Sequence, residues 1–412
     1  MSLCKFLIPV LAAGILVAPA ATATSFETLY KFTGKADGAG AYGGFATDPA
    51  GVFYGITSEG GNFDNTHCGD GCGTIFSLAP ASGKFASLHK FTEAEGISLN
   101  SPLAAGGGKI FYGAAGFGGP GATAGGGTIF KFDAGSETVS VLYTLKGNKG
   151  ALTLPGTSVT LAKGGLYGSA VLGGPGNFGG IYRLDLTTKA LKLVYAFGGS
   201  GSRPAGYSMN TSMVLGKDGM VYGATIGGGP KGTGAIFRIN PTTQKITALH
   251  AIDDGNGGII SGALSVAPNG MLYGTTAQGS STKHSCGGTG CGVIFKLDPK
   301  TVKFTIVHSF TGGADGGFPE GSTAVSVNGE LLYGTTGFGG GHKQGALYRI
   351  NLATNKLAVL HDFTGGAGGG IEENSLPALS LHDGKLFGIA TAGGYPKACD
   401  NQGCGTLFEL TP

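Results

Sequence analysis

The 412-residue chain contains no tryptophan. It therefore lacks the residue most used to stack on sugars, and tyrosines such as Tyr42 and Tyr207 must substitute wherever a ring is needed. Charge is also scarce. Asp, Glu, Lys and Arg make up 12% of the residues, about half the usual share. The net charge of +3 is small and no basic run occurs, which argues against a nucleic-acid partner. After residue 23 no apolar run is long enough to cross a membrane as a helix. No segment shows a helical period with caps. The 84 glycines, about three times the usual share, follow no Gly-X-Y period, so collagen is excluded. A hydrophobic fraction of 41% and 24 phenylalanines exclude disorder.

What is present is repetition. An aromatic–glycine pair recurs as Tyr54-Gly55, Tyr112-Gly113, Tyr167-Gly168, Tyr222-Gly223, Tyr273-Gly274, Tyr333-Gly334 and Phe387-Gly388. The spacings are 58, 55, 55, 51, 60 and 54 residues, a repeat architecture. The fifth copy reads as four strands, A to D. Ala263–Val266 is A, Met271–Thr276 is B, Gly292–Leu297 is C and Phe304–Phe310 is D. The chain opens on a D strand, Glu27–Phe32, and closes on a C strand near Leu410. A ring resolves both ends, because the first strand then completes the last sheet and covers its edge. The expected fold is an all-β, seven-bladed β-propeller of four-stranded antiparallel blades over residues 24–412.

Residues 1–23 read as a signal peptide. Lys5 precedes an apolar stretch from Phe6 to Val17, and Ala21-Thr22-Ala23 offers a cleavage site. Its removal leaves a net charge of +2 (26 cations, 24 acids). The expected location is outside the cell, or the periplasm in a Gram-negative source. Six cysteines remain, as Cys68/Cys72, Cys286/Cys291 and Cys399/Cys404. Export and the short spacings predict three local disulfides. His67 and His284 beside two of the pairs raise zinc as the competing idea. The third pair lacks such a histidine, so no metal site is assigned.

The repeat strings resemble the GloVer tandem-repeat family of secreted and surface-anchored bacterial proteins. The resemblance rests on Leu272–Thr276 and Leu332–Thr336 (L-Y-G-T-T), Gly73–Phe76 and Gly127–Phe130 (G-T-I-F), and Phe310–Gly317 (F-T-G-G-A-D-G-G). It implies export and lends no catalytic residues.

In a meander A-B-C-D the D→A and B→C loops share one face. The short A→B and C→D turns share the other. The long loops carry all three cysteine pairs, and long loops on a rigid scaffold are where binding resides. Counting back from each aromatic–glycine pair places Tyr42, Asn100, Asn210, Ser261, Glu320 and Asn374 just before strand A. There they would ring the channel mouth as a ligand-binding set. Asp37-Gly38 and Asp315-Gly316 have the composition of calcium ligands, but turn chemistry accounts for them and no cofactor is assigned. The repeated histidines His89, His250, His308 and His361 fall on outer strands of separate blades and read as structural. The glycine patterns at 116–121 and 174–179 open no helix and are not dinucleotide sites. The expected function is a non-catalytic binding or interaction module for extracellular carbohydrate or protein. An extracellular glycan hydrolase or lyase would need paired acids, with Glu320 and Glu373 the pair to examine. The third class is a structural envelope or matrix protein.

Overall fold

The computed structural model describes residues 24–63, 68–121, 126–147, 151–198, 205–206, 209, 211–229, 231–253, 257–279, 286, 288–364, 379–391, 393–395, 399 and 403–412. The expected signal segment, 1–23, lies outside them. Seven four-stranded antiparallel sheets make up the fold, each in the order A-B-C-D. Blade 1 comprises Ala39–Thr47, Phe53–Glu59, Thr74–Ala79 and Lys84–Lys90. Blades 2 to 6 occupy residues 104–145, 153–196, 214–251, 265–309 and 317–362. Blade 7 is built from both ends of the chain. Ser380–His382, Lys385–Ala390 and Thr406–Thr411 are its A, B and C strands, and Ser25–Lys31 is its D strand. Ser25 pairs with Thr411 and Lys31 with Thr406.

Seven apolar clusters hold the sheets together, one at each interface between neighbouring blades. The cluster that closes the ring joins Phe32, Phe387 and Leu407 of blade 7 to Phe53, Phe76 and Leu78 of blade 1. A fully buried phenylalanine is worth roughly 1.5–3 kcal/mol, so this joint is as substantial as the other six.

The aromatic–glycine pair has a steric cause. Each glycine of strand B lies opposite an aromatic residue of strand C: Gly55 pairs with Phe76, Gly168 with Tyr182 and Gly388 with Phe408. A β-carbon on any of the seven glycines would collide with that ring. The ring lies over the bare backbone and fills the place of the missing side chain. The preceding tyrosine stays with the turn. Tyr54 Oη donates to Asp48 (3.2 Å) and Tyr222 Oη to Asp218 (2.7 Å). Burial and the neighbouring carboxylate push the Tyr54 phenol up to about 12.

Strand A departs from the expected four residues in blades 1, 3 and 6. There it runs Ala39–Thr47, Thr153–Ala162 and Gly317–Val325, with a bulge in each. Tyr42 and Glu320 therefore lie within strand A, at the outer side of its bulge. They do not precede it.

Candidate functional site: a cleft on the loop face

All three cysteine pairs are disulfides: Cys68–Cys72, Cys286–Cys291 and Cys399–Cys404. Each lies in a B→C loop, and five of the six cysteines are buried, with Cys399 partly so. They explain the motif Phe-Thr-Gly-x-Ala-Asp-Gly in the D→A loops. A β-carbon on Gly34 would strike Sγ of Cys399 and Cys404, and one on Gly312 would strike Sγ of Cys286 and Cys291. The B→C loop is thus pinned beneath the D→A loop of the same sheet.

The acids of these loops have assigned partners. Asp37 accepts hydrogen bonds from Thr33 N (2.9 Å), Thr33 Oγ1 and Tyr30 Oη (2.9 Å). Asp315 accepts from Thr311 N (3.1 Å) and Thr311 Oγ1 and pairs with His308 Nε2 (3.2 Å). Glu95 repeats the arrangement with Thr92 and with His89 Nε2 (3.1 Å). Burial alone would raise Asp315 and Glu95. Their histidine and threonine hydrogen bonds outweigh it and hold both below the usual carboxylate range. These residues serve as loop caps. Among the described residues no group of three or more His, Cys, Asp or Glu side chains gathers in a metal-binding arrangement. His250 stacks on Phe304 with centroids 4.2 Å apart, and His361 on Phe26 at 3.8 Å.

Two of the six expected channel-mouth residues meet. Tyr42 and Asn100 line one cleft of about 410 Å3 between blades 1 and 2, on the face of the long loops. Strand A of blade 1 supplies Tyr42, the end of strand B supplies Ser58 and Glu59, and the disulfide loop supplies residues 68–71. The opposite wall is the D→A loop of blade 2, with Ile97, Ser98 and Asn100, and Phe117 just after its strand B. Ser98 has a left-handed backbone (φ 60°). Gly40, Leu154 and Phe318 do the same where the chain turns into strand A, so this feature belongs to the fold.

Of the other four, Ser261 and the backbone of Glu320 are described. Ser261 Oγ donates to Pro319 O of the next blade (2.5 Å), which makes it a seam residue between blades 5 and 6. The backbone of Glu320 pairs with Thr335 inside blade 6. Asn210 and Asn374 lie outside the described residues, as do Tyr207, Glu373, His67 and His284. A second cavity, of about 350 Å3, lies among the A strands of blades 2, 3 and 4. Its wall is largely apolar (Leu103, Val159, Leu161, Val214), and the Thr160 hydroxyl there donates to Met213 O (2.6 Å).

Counting back from the tyrosines missed Glu59, Asp70 and Phe117. A signal for Phe117 was present, because it sits within the glycine run at 116–119. Phe63, Phe178, Phe338 and Tyr395 lie in or beside similar glycine runs after strand B. All five side chains are 44–52% exposed except Phe338 at 39%. They are the exposed aromatics of the described residues, and all five lie on the loop face. Glycine-rich backbone has no side chains with which to cover a ring. The run at 174–179 contains a 3-10 turn, Pro175–Asn177, and opens no α-helix.

The chain belongs to the Gloeobacter/Verrucomicrobia repeat family, whose profile matches residues 12–214, 112–289 and 208–412. Comparison with curated proteins gave no match. Solved structures share the fold. One is the extracellular domain of a B. thetaiotaomicron protein described as a one component system. It is 13% identical with a TM-score of 0.55, and the match covers 93% of this chain and 40% of that one. The chain thus spans about two-fifths of that structure's length. An oligogalacturonate lyase in complex with manganese is 13% identical (TM-score 0.56), with 94% and 96% covered. A GH74 enzyme of Niastella koreensis is 14% identical (TM-score 0.57), with 89% and 52% covered. At these identities the likeness is one of fold.

Proposed function

We propose that this chain is an exported, non-catalytic binding propeller that takes its ligand on the D→A/B→C face. The observation that carries the reading is the 410 Å3 cleft between blades 1 and 2, which joins Tyr42 to Asn100. Its size falls in the range of small-molecule sites, about 300–1,000 Å3. A ring beside amides, hydroxyls and acids suits a hydrated ligand with apolar faces, and extracellular carbohydrate is the class that fits. The gathering of exposed aromatics on this face supports the reading, since exposed apolar groups gathered on one face mark interaction sites. Three disulfides support an oxidising compartment, and residues 1–23 would direct the chain there. The described residues include no helix long and apolar enough to cross a membrane.

The test is a glycan array probed with the purified exported protein and with Tyr42→Ala and Phe117→Ala. Binding should fall at least tenfold in both variants and be unaffected by Asp218→Ala on the turn face. Binding lost through Asp218→Ala and kept by the other two would refute the face assignment.

A further inference from the structure

The outer strands of the blades repeat one device, and one joint departs from it. Every strand D carries a tyrosine or histidine at the same register position, from Tyr30 of blade 7 to His361 of blade 6. At three joints a phenylalanine from strand D of the next blade covers that ring. Tyr30 stacks on Phe85 with centroids 3.6 Å apart, His250 on Phe304 at 4.2 Å and His361 on Phe26 at 3.8 Å. At three more, a phenylalanine two residues on packs edge to face: Phe91 on His89 (5.2 Å), Phe197 on Tyr195 (5.9 Å) and Phe310 on His308 (4.9 Å). Tyr143 of blade 2 has neither. Leu145 stands two residues on. Leu191 of blade 3, opposite Leu184 as Phe85 is opposite Leu78, takes the place of the covering phenylalanine. A cavity of about 340 Å3 lies there, with Tyr143, Leu145, Leu152, Leu191 and Leu193 in its wall.

We infer that this joint is a binding slot for a small aromatic molecule, which stacks on Tyr143 as Phe85 stacks on Tyr30. The slot lies at the outer strands of blades 2 and 3 and shares no lining residue with the cleft between blades 1 and 2. Its volume exceeds the roughly 150 Å3 in which an apolar cavity holds benzene, so one ring with a substituent fits. The occupant's chemistry is set by the other joints, where an aromatic ring fills the corresponding place. Four leucines in the wall complement an apolar edge. A sugar would set its hydroxyls against them without partners, which is costly. Thr144 supplies a hydroxyl at the same cavity for one polar substituent.

The chain has no tryptophan, so the fluorescence of added indole can be followed without an indole background from the protein. Titrated with the purified exported protein, indole should give a saturable change with a Kd of about 1 mM or below. Phenol and cyclohexanol, matched in size, then compete for the slot. Phenol should displace indole at least tenfold better, because only it has an aromatic face to stack. Leu191→Phe rebuilds the joint seen between blades 7 and 1. It should weaken indole binding at least tenfold and raise the melting temperature of the free protein. Tyr143→Leu keeps an apolar side chain and removes the stacking face, and it too should cost at least tenfold. It carries the test alone if Leu191→Phe does not fold. Absence of saturable binding overturns the inference, and so does cyclohexanol competing as well as phenol. Indole affinity unchanged in either folded variant also overturns it. None of these outcomes depends on glycan binding at the loop face.

Discussion

The two faces of the ring use the same kinds of residue to opposite ends. On the turn face an acid or amide caps its own turn. Asp218 Oδ1 accepts from Met220 N (3.1 Å), Asn269 Oδ1 from Met271 N (3.0 Å) and Asp48 Oδ1 from Ala50 N (2.9 Å). These bonds span two residues, and no side chain from another blade is needed. On the loop face the capping acid turns back to the preceding D strand, much as Asp48 and Asp218 reach forward to Tyr54 and Tyr222 of strand B. Asp37 takes Tyr30, Glu95 takes His89 and Asp315 takes His308, while glycines make room for disulfides contributed from elsewhere in the sheet. A locally closed turn has nothing left to vary. A loop held by distant anchors can change between its anchors, and that is where cleft and exposed rings are found.

The comparison presumes that both faces hang on one closed ring, and the largest effect should come from opening it. Deleting residues 24–33 removes the D strand of blade 7 with Phe26 and Phe32, and bares the edge at Thr406–Thr411. We expect aggregation or the loss of a single cooperative transition in thermal unfolding. Unchanged melting would mean that the strand does not close the ring. Next in size is the disulfide of one face. Cys286→Ser with Cys291→Ser should cost on the order of 2 kcal/mol for so short a loop. Hydrogen exchange should quicken at loop-face amides such as Gly279 and Gly312 and stay as it was at the Asn269–Met271 turn. Equal quickening on both faces would break the distinction drawn here.

How much of this was legible follows the same division. Strand order, ring closure and cysteine pairing could be read, because each rests on contacts that recur with the repeat. Counting with the repeat also put Tyr42 and Asn100 on the loop face, where they line one cleft. Ser261 occupies the corresponding position, yet its hydroxyl goes to Pro319 O of the neighbouring blade, a contact that no single repeat contains. The bulges that draw Tyr42 and Glu320 into strand A are likewise blade-specific. Glu59, Asp70 and Phe117 meet only because two successive blades place different loops side by side. Motif position cannot show that, although a phenylalanine in a glycine run is a sign of exposure.

A core change should leave both faces alone. Tyr182 and Tyr348 are fully buried, and neither hydroxyl has a hydrogen-bond partner. Burial pushes both phenols far up. Blades 1, 2, 4, 5 and 7 carry Phe76, Phe130, Phe237, Phe295 and Phe408 at the corresponding place over the strand-B glycine. An unsatisfied buried hydroxyl costs about 1–3 kcal/mol. Tyr182→Phe and Tyr348→Phe should therefore each stabilise by about 1 kcal/mol in denaturant unfolding, with ligand binding unchanged. Destabilisation by either would show that its hydroxyl serves a purpose.

The smallest effect should be that of pH, and it separates the outer strands from the loop face. Burial lowers His250 and His361, against the opposing pull of Asp253 and Asp362 respectively. A histidine whose folded pKa is depressed binds its proton more readily when unfolded. Stability should thus be level above about pH 7 and decline as pH falls through the unfolded value, about 6.5, toward the folded one. The decline should be shallow, because each imidazole lies on a phenylalanine, Phe304 or Phe26, and a cation over such a ring regains roughly 0.5–1 kcal/mol. Glu95 and Asp315 act in a separate window. Their folded pKa values are depressed, so their contribution is complete above about pH 4–4.5 and is lost as pH falls through the folded values. Denaturant unfolding from pH 8 to pH 3 should therefore show two declines. Replacing His361 by Phe should flatten the upper one, and Asp315→Asn the lower one. If His361→Phe flattened the acid limb instead, the imidazole on the blade 6–blade 7 joint would be titrating with the loop carboxylates, and the two regions would not be independent.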